Sequence, residues 1–205
     1  MRGKFITLEG PDGSGKSTML KLIEEYLKDN KIDYITSREP GGTKIGEDIR
    51  KIILDVDNKN MSNETEALLY AASRAQHVSE KILPAIEEGK LVLCDRFLLS
   101  SLAYQGVGRD LGIDEVKLIN DFGTKGLVPD LILFFHVNPE VTLMRKTKNL
   151  GGDRLEQEGV NFHNKVYNGY MELLDKYPEN IELIDATKPI DQVLEQALSK
   201  IQKII

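Results

Sequence analysis

The 205-residue chain is 40% hydrophobic and 29% charged, ordinary values for a soluble globular protein, and its length suits a single domain spanning 1–205. The net charge of −6 argues against a nucleic-acid surface, and no apolar run approaches the roughly 18 residues of a membrane-spanning helix. The single cysteine, Cys94, excludes an internal disulfide, and no signal-like apolar stretch follows Met1-Arg2-Gly3-Lys4, so a cytoplasmic protein is expected.

The first element is the apolar run Phe5–Glu9, a predicted strand. Gly10-Pro11-Asp12-Gly13-Ser14-Gly15-Lys16-Ser17 follows, then Thr18 and a helical pattern. The spacing fits G-x-x-x-x-G-K-[ST], the phosphate-binding loop, in its required strand–loop–helix setting. Gly10, Gly13 and Gly15 lack Cβ, so the backbone can curl and aim N–H groups at an anion. The helix after them turns its positive end to the same point. In this motif Lys16 reaches the β- and γ-phosphates of a nucleotide and the Ser17 hydroxyl holds Mg²⁺.

The pattern over 14–30 places Met19, Leu22, Ile23, Tyr26 and Leu27 on one helical stripe. A second strand, Tyr34–Arg38, runs into Glu39-Pro40-Gly41-Gly42. A long helical pattern covers Glu64–Glu88, with Pro84 expected to interrupt it. Leu68, Ala72 and Ala75 form an apolar stripe there, read as core or as a dimer surface. Tyr70, Arg74 and His77 lie on the opposite face, which is either a base-reading face or plain solvated surface.

The third strand, Leu91–Asp95, buries Cys94 as a small hydrophobe and ends in an acid and an arginine. Asp95 either sits beside a metal ion or caps the helix beginning near Leu98. Arg96 either grips a phosphate or pairs with a neighbouring acid. Ser101, Tyr104 and Gln105 share a helical face, which reads a base and sugar or is partly solvated. The fourth strand is Leu131–Val137, with His136 as a satisfied core residue. Gly151-Gly152 and Gly159 bracket a polar stretch containing Arg154, of the kind that closes over ligands. The fifth strand, Ile181–Asp185, precedes an apolar stripe of Ile190, Val193, Leu194, Ala197, Leu198 and Ile201.

Strands alternating with helices imply an α/β fold: a five-stranded parallel sheet with helices on both faces. In such sheets ligands bind outside the carboxyl ends of the strands, where the unusual polar residues of this chain gather. No histidine stands at metal-ligand spacing from a cysteine or acid, and no Ser-His-Asp arrangement can be argued from the sequence. A hydroxyl acceptor of a phosphoryl group would call for a general base. A phosphate acceptor, with its second pKa near about 6, does not. Many placed arginines and few candidate bases favour a nucleoside monophosphate as acceptor.

The blocks Phe5–Gly13, Arg38-Glu39-Pro40-Gly41-Gly42-Thr43, Asp95-Arg96-Phe97 and Ser100-Ser101-Leu102-Ala103-Tyr104-Gln105-Gly106 together resemble the thymidylate kinase family. Gly126-Leu127-Val128-Pro129-Asp130-Leu131 and Asp153-Arg154-Leu155-Glu156 extend the resemblance nearly end to end. It implies a compact P-loop NTPase fold, one nucleoside-monophosphate kinase domain with a small lid at about 149–159. It also implies a homodimer and transfer of the γ-phosphoryl group of ATP to dTMP in dTTP biosynthesis. Residue by residue, it implies that Asp12 lies near the acceptor's ribose and phosphate and Glu39 near the metal-bound phosphates. Arg50 and Arg96 hold the dTMP phosphate. Tyr70 stacks on thymine, while Arg74, Ser101 and Gln105 face the base edge. Tyr104 crowds the 2′ side of the sugar, and Arg154 stabilises transferring charge from the lid. The phosphate loop has no arginine, so that charge is expected from Arg154, with Lys146, Lys148 or Arg145 to assist.

Overall fold

The protein is described by a computed structural model covering residues 2–138 and 152–205. Its five strands are β1 (Phe5–Glu9), β2 (Tyr34–Arg38), β3 (Leu91–Asp95), β4 (Leu131–His136) and β5 (Ile181–Asp185). They form one all-parallel sheet in the order β2-β3-β1-β4-β5. The central strand β1 pairs Leu8 with Asp95 on one side and Glu9 with Phe134 on the other, so three strand ends emerge at one edge.

Because side chains alternate along a strand, β1 serves two layers. Ile6 and Leu8 join Met19, Ile23 and Leu27 of α1 (Lys16–Asp29) and Val193, Ala197 and Ile201 of α8 (Ile190–Ile201). Phe5 faces the other way, packing with Val92, Cys94, Phe97, Val78 and Ile82. Around Phe134 a further cluster gathers Leu102, Val116, Val166 and Tyr170, using α6 (Ile113–Thr124) and α7 (Val160–Lys176). Among the described residues no helix is long and apolar enough to cross a membrane.

Helix α2 (Lys44–Leu54) starts where Thr43 accepts the Gly46 N–H, and α3 (Asn63–His77) where Ser62 accepts that of Thr65. On helix α3 the apolar stripe lies at the surface, the second of its two expected places, and not in the core. Leu68 is 56% exposed, while Glu66, Ser73, Arg74 and His77 are buried. Burial of charged groups is tolerated where each finds a partner: Ser73, Arg74 and His77 find theirs on the loop after β2, and Glu66 accepts from Gln105, Arg109 and Arg154. Pro84 does not break the helical run. It sits in the first turn of α4 (Leu83–Glu87), and the irregularity falls upstream, where Val78–Ile82 winds as a π-helical turn. A second π-helical stretch, Leu102–Gly108, follows α5 (Leu98–Ser101) and carries Tyr104 and Gln105.

Candidate active site

The phosphate loop leaves the carboxyl end of β1 with Gly10, Gly13 and Gly15 at φ of 136°, 80° and 93°. At Gly10 a side chain fails twice, since an added Cβ would also stand 2.7 Å from the Phe135 carbonyl oxygen. Lys16 folds into its own loop, donating to the carbonyls of Gly10 and Pro11, each at 2.9 Å, and to Ser14 Oγ at 3.4 Å. Burial, then the charge of Arg96, lowers its pKa to about 8.

Ser17 Oγ donates to Asp95 Oδ2 at 3.3 Å. Asp95 Oδ1 is buried and has no hydrogen-bond partner among the described residues. Two hard oxygens at the loop's mouth, one of the carboxylate's oxygens orphaned, fit a hard cation such as Mg²⁺. Asp95 does not cap the following helix: α5 begins after Phe97 without a side-chain cap.

Arg96 adopts φ 71°, unusual for a residue with Cβ, while its N–H bonds Leu8 O at 2.9 Å. Its guanidinium ties three segments together. Nη1 reaches Gly10 O (3.1 Å), Ser100 Oγ (2.9 Å) and Tyr170 OH (3.1 Å), and Nη2 reaches Asp12 Oδ1 (2.5 Å). The other oxygen of Asp12 accepts from Tyr104 OH at 2.9 Å, and the Tyr104 ring lies under the guanidinium. Beneath them Glu9 accepts from Phe97 N (2.7 Å) and Ser100 Oγ (2.5 Å), and burial raises its pKa to about 7.

The loop after β2 is built as tightly. Arg38 makes a two-pronged bond to Glu47, which also accepts from Gly42 N. These bonds, that of Arg38 above all, pull the Glu47 carboxyl down to about 2. Arg50 donates to Pro40 O at 2.8 Å, and Ser73 Oγ accepts from Gly41 N at 3.0 Å. Glu39, buried, is held by Arg74 Nε at 2.6 Å and His77 Nδ1 at 2.9 Å. Arg74 continues to Ser101 Oγ and Phe97 O, each at 3.0 Å, and to the Asn120 amide oxygen. Four of its five N–H groups are thereby placed. Removing Arg74 would strand a buried carboxylate at a cost of about 3–5 kcal/mol.

These loops and helices surround one cleft of about 240 Å³ at the carboxyl edge of the sheet. Asp12, Ser17 and Asp95 line its loop side. Glu39, Arg50, Tyr70 and Arg74 line one wall, and Arg96, Ser101, Tyr104 and Gln105 the other. All the residues expected on the acceptor side are brought together there. His77 is not on an exposed face but buried behind Glu39, bonding Ser37 Oγ at 2.7 Å as well.

Arg154 stands elsewhere. Its Nη2 pairs with Glu66 Oε2 at 2.6 Å, its Nε donates to Ile53 O at 2.9 Å, and it is not part of the cleft lining. The turn carrying it is capped by Asp153 Oδ1, which accepts from the N–H groups of Leu155 and Glu156. Through Asp153, Leu155 and Glu156 this turn does border the cleft. The expected assistants Arg145, Lys146 and Lys148, and the first residues of the expected lid, lie outside the described residues.

Sequence reasoning missed Glu9, Ser100, Tyr170, Glu66 and Asn120, which hold the lining residues from behind. Glu9 carried the same signal that singled out Asp95, an acid ending an apolar strand. The others carry no such signal, because the partners that matter lie far away in sequence: Glu9 and Tyr170 for Ser100, Arg74 for Asn120, Arg154 for Glu66 and Arg96 for Tyr170.

A thymidylate kinase family model matches residues 8–197. A thymidylate kinase of Finegoldia magna is 57% identical over 199 residues, covering 97% of this chain and 98% of its own length. Those of Clostridium novyi and Lactobacillus helveticus are each 55% identical, over 95% and 99% of this chain and 96% and 97% of their own lengths.

Proposed function

The chain belongs to the thymidylate kinase family, and we propose from that premise how its residues divide the transfer of a γ-phosphoryl group from ATP to dTMP. The enzyme is a phosphotransferase that makes dTDP and ADP, a step of dTTP synthesis. The observation that carries the division is the shared cleft: the phosphate loop and the acceptor-side arginines open into one space.

Gly10–Thr18 grips the donor, with Lys16 leaving the loop carbonyls for the β- and γ-phosphate oxygens. Ser17 and Asp95 would hold Mg²⁺, which when bound offsets the negative charge of the donor phosphates. Arg50 and Arg96 fix the dTMP phosphate, while Asp12 and Glu39 border it. Tyr70 stacks on the base, and Arg74, Ser101 and Gln105 meet its edge. Tyr104 stands on the 2′ side and favours deoxyribose. No base is required, since the acceptor phosphate is largely a dianion at neutral pH. Alignment and charge neutralisation then carry the rate. Arg154 adds positive charge to the transferring group once it leaves Glu66.

The functional unit is one domain in a cytoplasmic homodimer. Its supporting surface is the outer face of α3 and α6, where Leu68, Leu118 and Phe122 are 56%, 72% and 92% exposed. The two helices pack closely at Ala75 and Gly123, so these residues belong to one rigid face.

The test is initial-rate phosphorylation with ATP and Mg²⁺ across dTMP, dUMP, UMP and AMP. Strong preference for dTMP is expected, and equal rates with UMP or AMP would refute the assignment of Tyr104 and the base-facing residues.

A further inference from the structure

His77 lies outside the cleft lining yet is bonded to Glu39, which is part of it. The imidazole is fully buried, and each ring nitrogen has a partner. Nδ1 stands 2.9 Å from Glu39 Oε1, and Nε2 stands 2.7 Å from Ser37 Oγ. Beyond Ser37 comes Lys81, in the π-helical turn Val78–Ile82. Its Nζ donates to Ser37 Oγ at 3.1 Å and to Thr36 O at 3.2 Å. The loop after β2 closes tightly over this row, since a Cβ on Gly42 would stand 2.6 Å from Ser37 Oγ and 2.8 Å from the His77 ring.

The row has a direction. An ammonium group only donates, so Ser37 Oγ accepts from Lys81. The one hydroxyl proton of Ser37 then goes to His77 Nε2, the other partner of this oxygen among the described residues. Nε2 must offer a lone pair, and the ring proton sits on Nδ1, aimed at Glu39 Oε1. A proton on Nε2 would instead give Ser37 two donors and leave its own buried proton without an acceptor, which is costly. The second oxygen of Glu39 is already held by Arg74 Nε at 2.6 Å. A neutral ring therefore orients the carboxylate without adding a second positive charge to that of Arg74.

We propose that His77 is a positioning residue for phosphoryl transfer: Lys81, through Ser37, fixes the ring as the Nδ1–H tautomer, and the ring holds the Glu39 carboxylate in place in the cleft wall. The proposal rests on the reading that Glu39 borders the acceptor phosphate. It makes turnover depend on Lys81, a residue that does not line the cleft.

The experiment compares kcat for dTMP in the wild type, His77→Asn, His77→Gln and Glu39→Gln. The asparagine amide falls where Nδ1 stands and can still donate to Glu39. The longer glutamine amide reaches the place of Nε2 and serves Ser37 instead. Loss of a donor to a carboxylate should lower kcat about tenfold or more in His77→Gln, while His77→Asn stays within about threefold of the wild type. A merely structural histidine would make the two amides equivalent, and equal losses in both variants overturn the proposal. If neither variant folds, the wild type still decides. The ring nitrogen shifts of His77, assigned by elimination with His136→Asn and His163→Asn, should show Nδ1 protonated and Nε2 bare. Lys81→Met frees Ser37 to accept from the ring, so a second form with Nε2 protonated should appear and kcat should fall with it. A wild-type ring protonated on Nε2, or a ring unchanged by Lys81→Met, overturns the proposal. Glu39→Gln with the kcat of the wild type would instead sink the reading of Glu39 itself.

Discussion

Arg96 Nη2 stands 2.5 Å from Asp12 Oδ1, an ion pair that ties the phosphate loop to the end of β3. Through it, the residue expected to hold the acceptor phosphate is oriented by the loop that grips the donor. Asp12→Asn keeps the shape but removes the charge, leaving Arg96 and Tyr104 less firmly placed. A charge-assisted bond contributes about 1.5–3 kcal/mol, so kcat/KM for dTMP should fall by roughly ten- to a hundredfold. Steady-state kinetics at saturating ATP measures this. A value within twofold of the wild type would show that Arg96 is held well enough without Asp12.

Arg154 must leave Glu66 and Ile53 O to act on the phosphates. If it does so in turnover, Arg154→Ala lowers kcat by about a hundredfold or more, the scale of a lost charge-stabilising donor. A raised KM for dTMP with kcat preserved would instead confine Arg154 to holding Glu66 behind the cleft wall.

Lys16 has a pKa near 8 in the free enzyme, against 10.5 for an unburied lysine. Phosphate oxygens favour its charged form, so nucleotide binding above about pH 8 must take up a proton. Affinity for ADP should weaken between about pH 7 and 9, with a binding enthalpy near pH 8 that depends on the buffer's heat of ionisation. Lys16→Arg should lose both effects. Buffer-independent enthalpy across the range would contradict the depressed pKa.

Glu9 titrates near 7 in the folded chain and near 4.5 when unfolded. Between these values the folded state binds more protons, so its stability falls as pH rises through the window. The loss approaches about 3 kcal/mol at most. Glu9→Gln removes it. Urea midpoints at about pH 5 and pH 8 should therefore show the variant gaining on the wild type at the higher pH. Parallel curves would place the Glu9 pKa at its ordinary value.

Phe122→Glu sets a charge on the most exposed aromatic residue of the α3–α6 face. Sedimentation equilibrium should find the wild type dimeric and this variant largely monomeric. A monomeric wild type, or a variant that stays dimeric, moves the interface elsewhere.

Much of this was legible in the sequence because the signals are local. Strands 5–9, 34–38, 91–95 and 181–185 coincide with the apolar runs, and the phosphate loop announces itself by spacing. Polar residues at strand ends pointed to Glu39, Asp95 and Arg96, whereas Tyr70, Arg74, Ser101, Tyr104 and Gln105 came from helical spacing and the family resemblance, and Arg50 from the resemblance alone. Helix α3 kept both of its faces open, because hydropathy alone does not tell whether Leu68 is core or dimer surface, nor whether Arg74 reads a base or meets solvent. The pairings that bury its polar face, Arg74 with Glu39 and His77 with Ser37, join residues 35 and 40 positions apart. The clamp of Arg154 by Glu66 spans 88 positions. No periodicity records such distances.

The π-helical winding at Leu102–Gly108 makes that stretch equivalent to an insertion in an ordinary helix. Excising one residue there would let the chain relax to about 3.6 residues per turn and swing each following side chain by roughly 100°. Tyr104 and Gln105 would leave the cleft together while the sheet and the phosphate loop stayed whole. If Tyr104 and Gln105 act as proposed, sugar and base discrimination is encoded in the register of one helical turn, separable by a single codon from the machinery that moves the phosphoryl group.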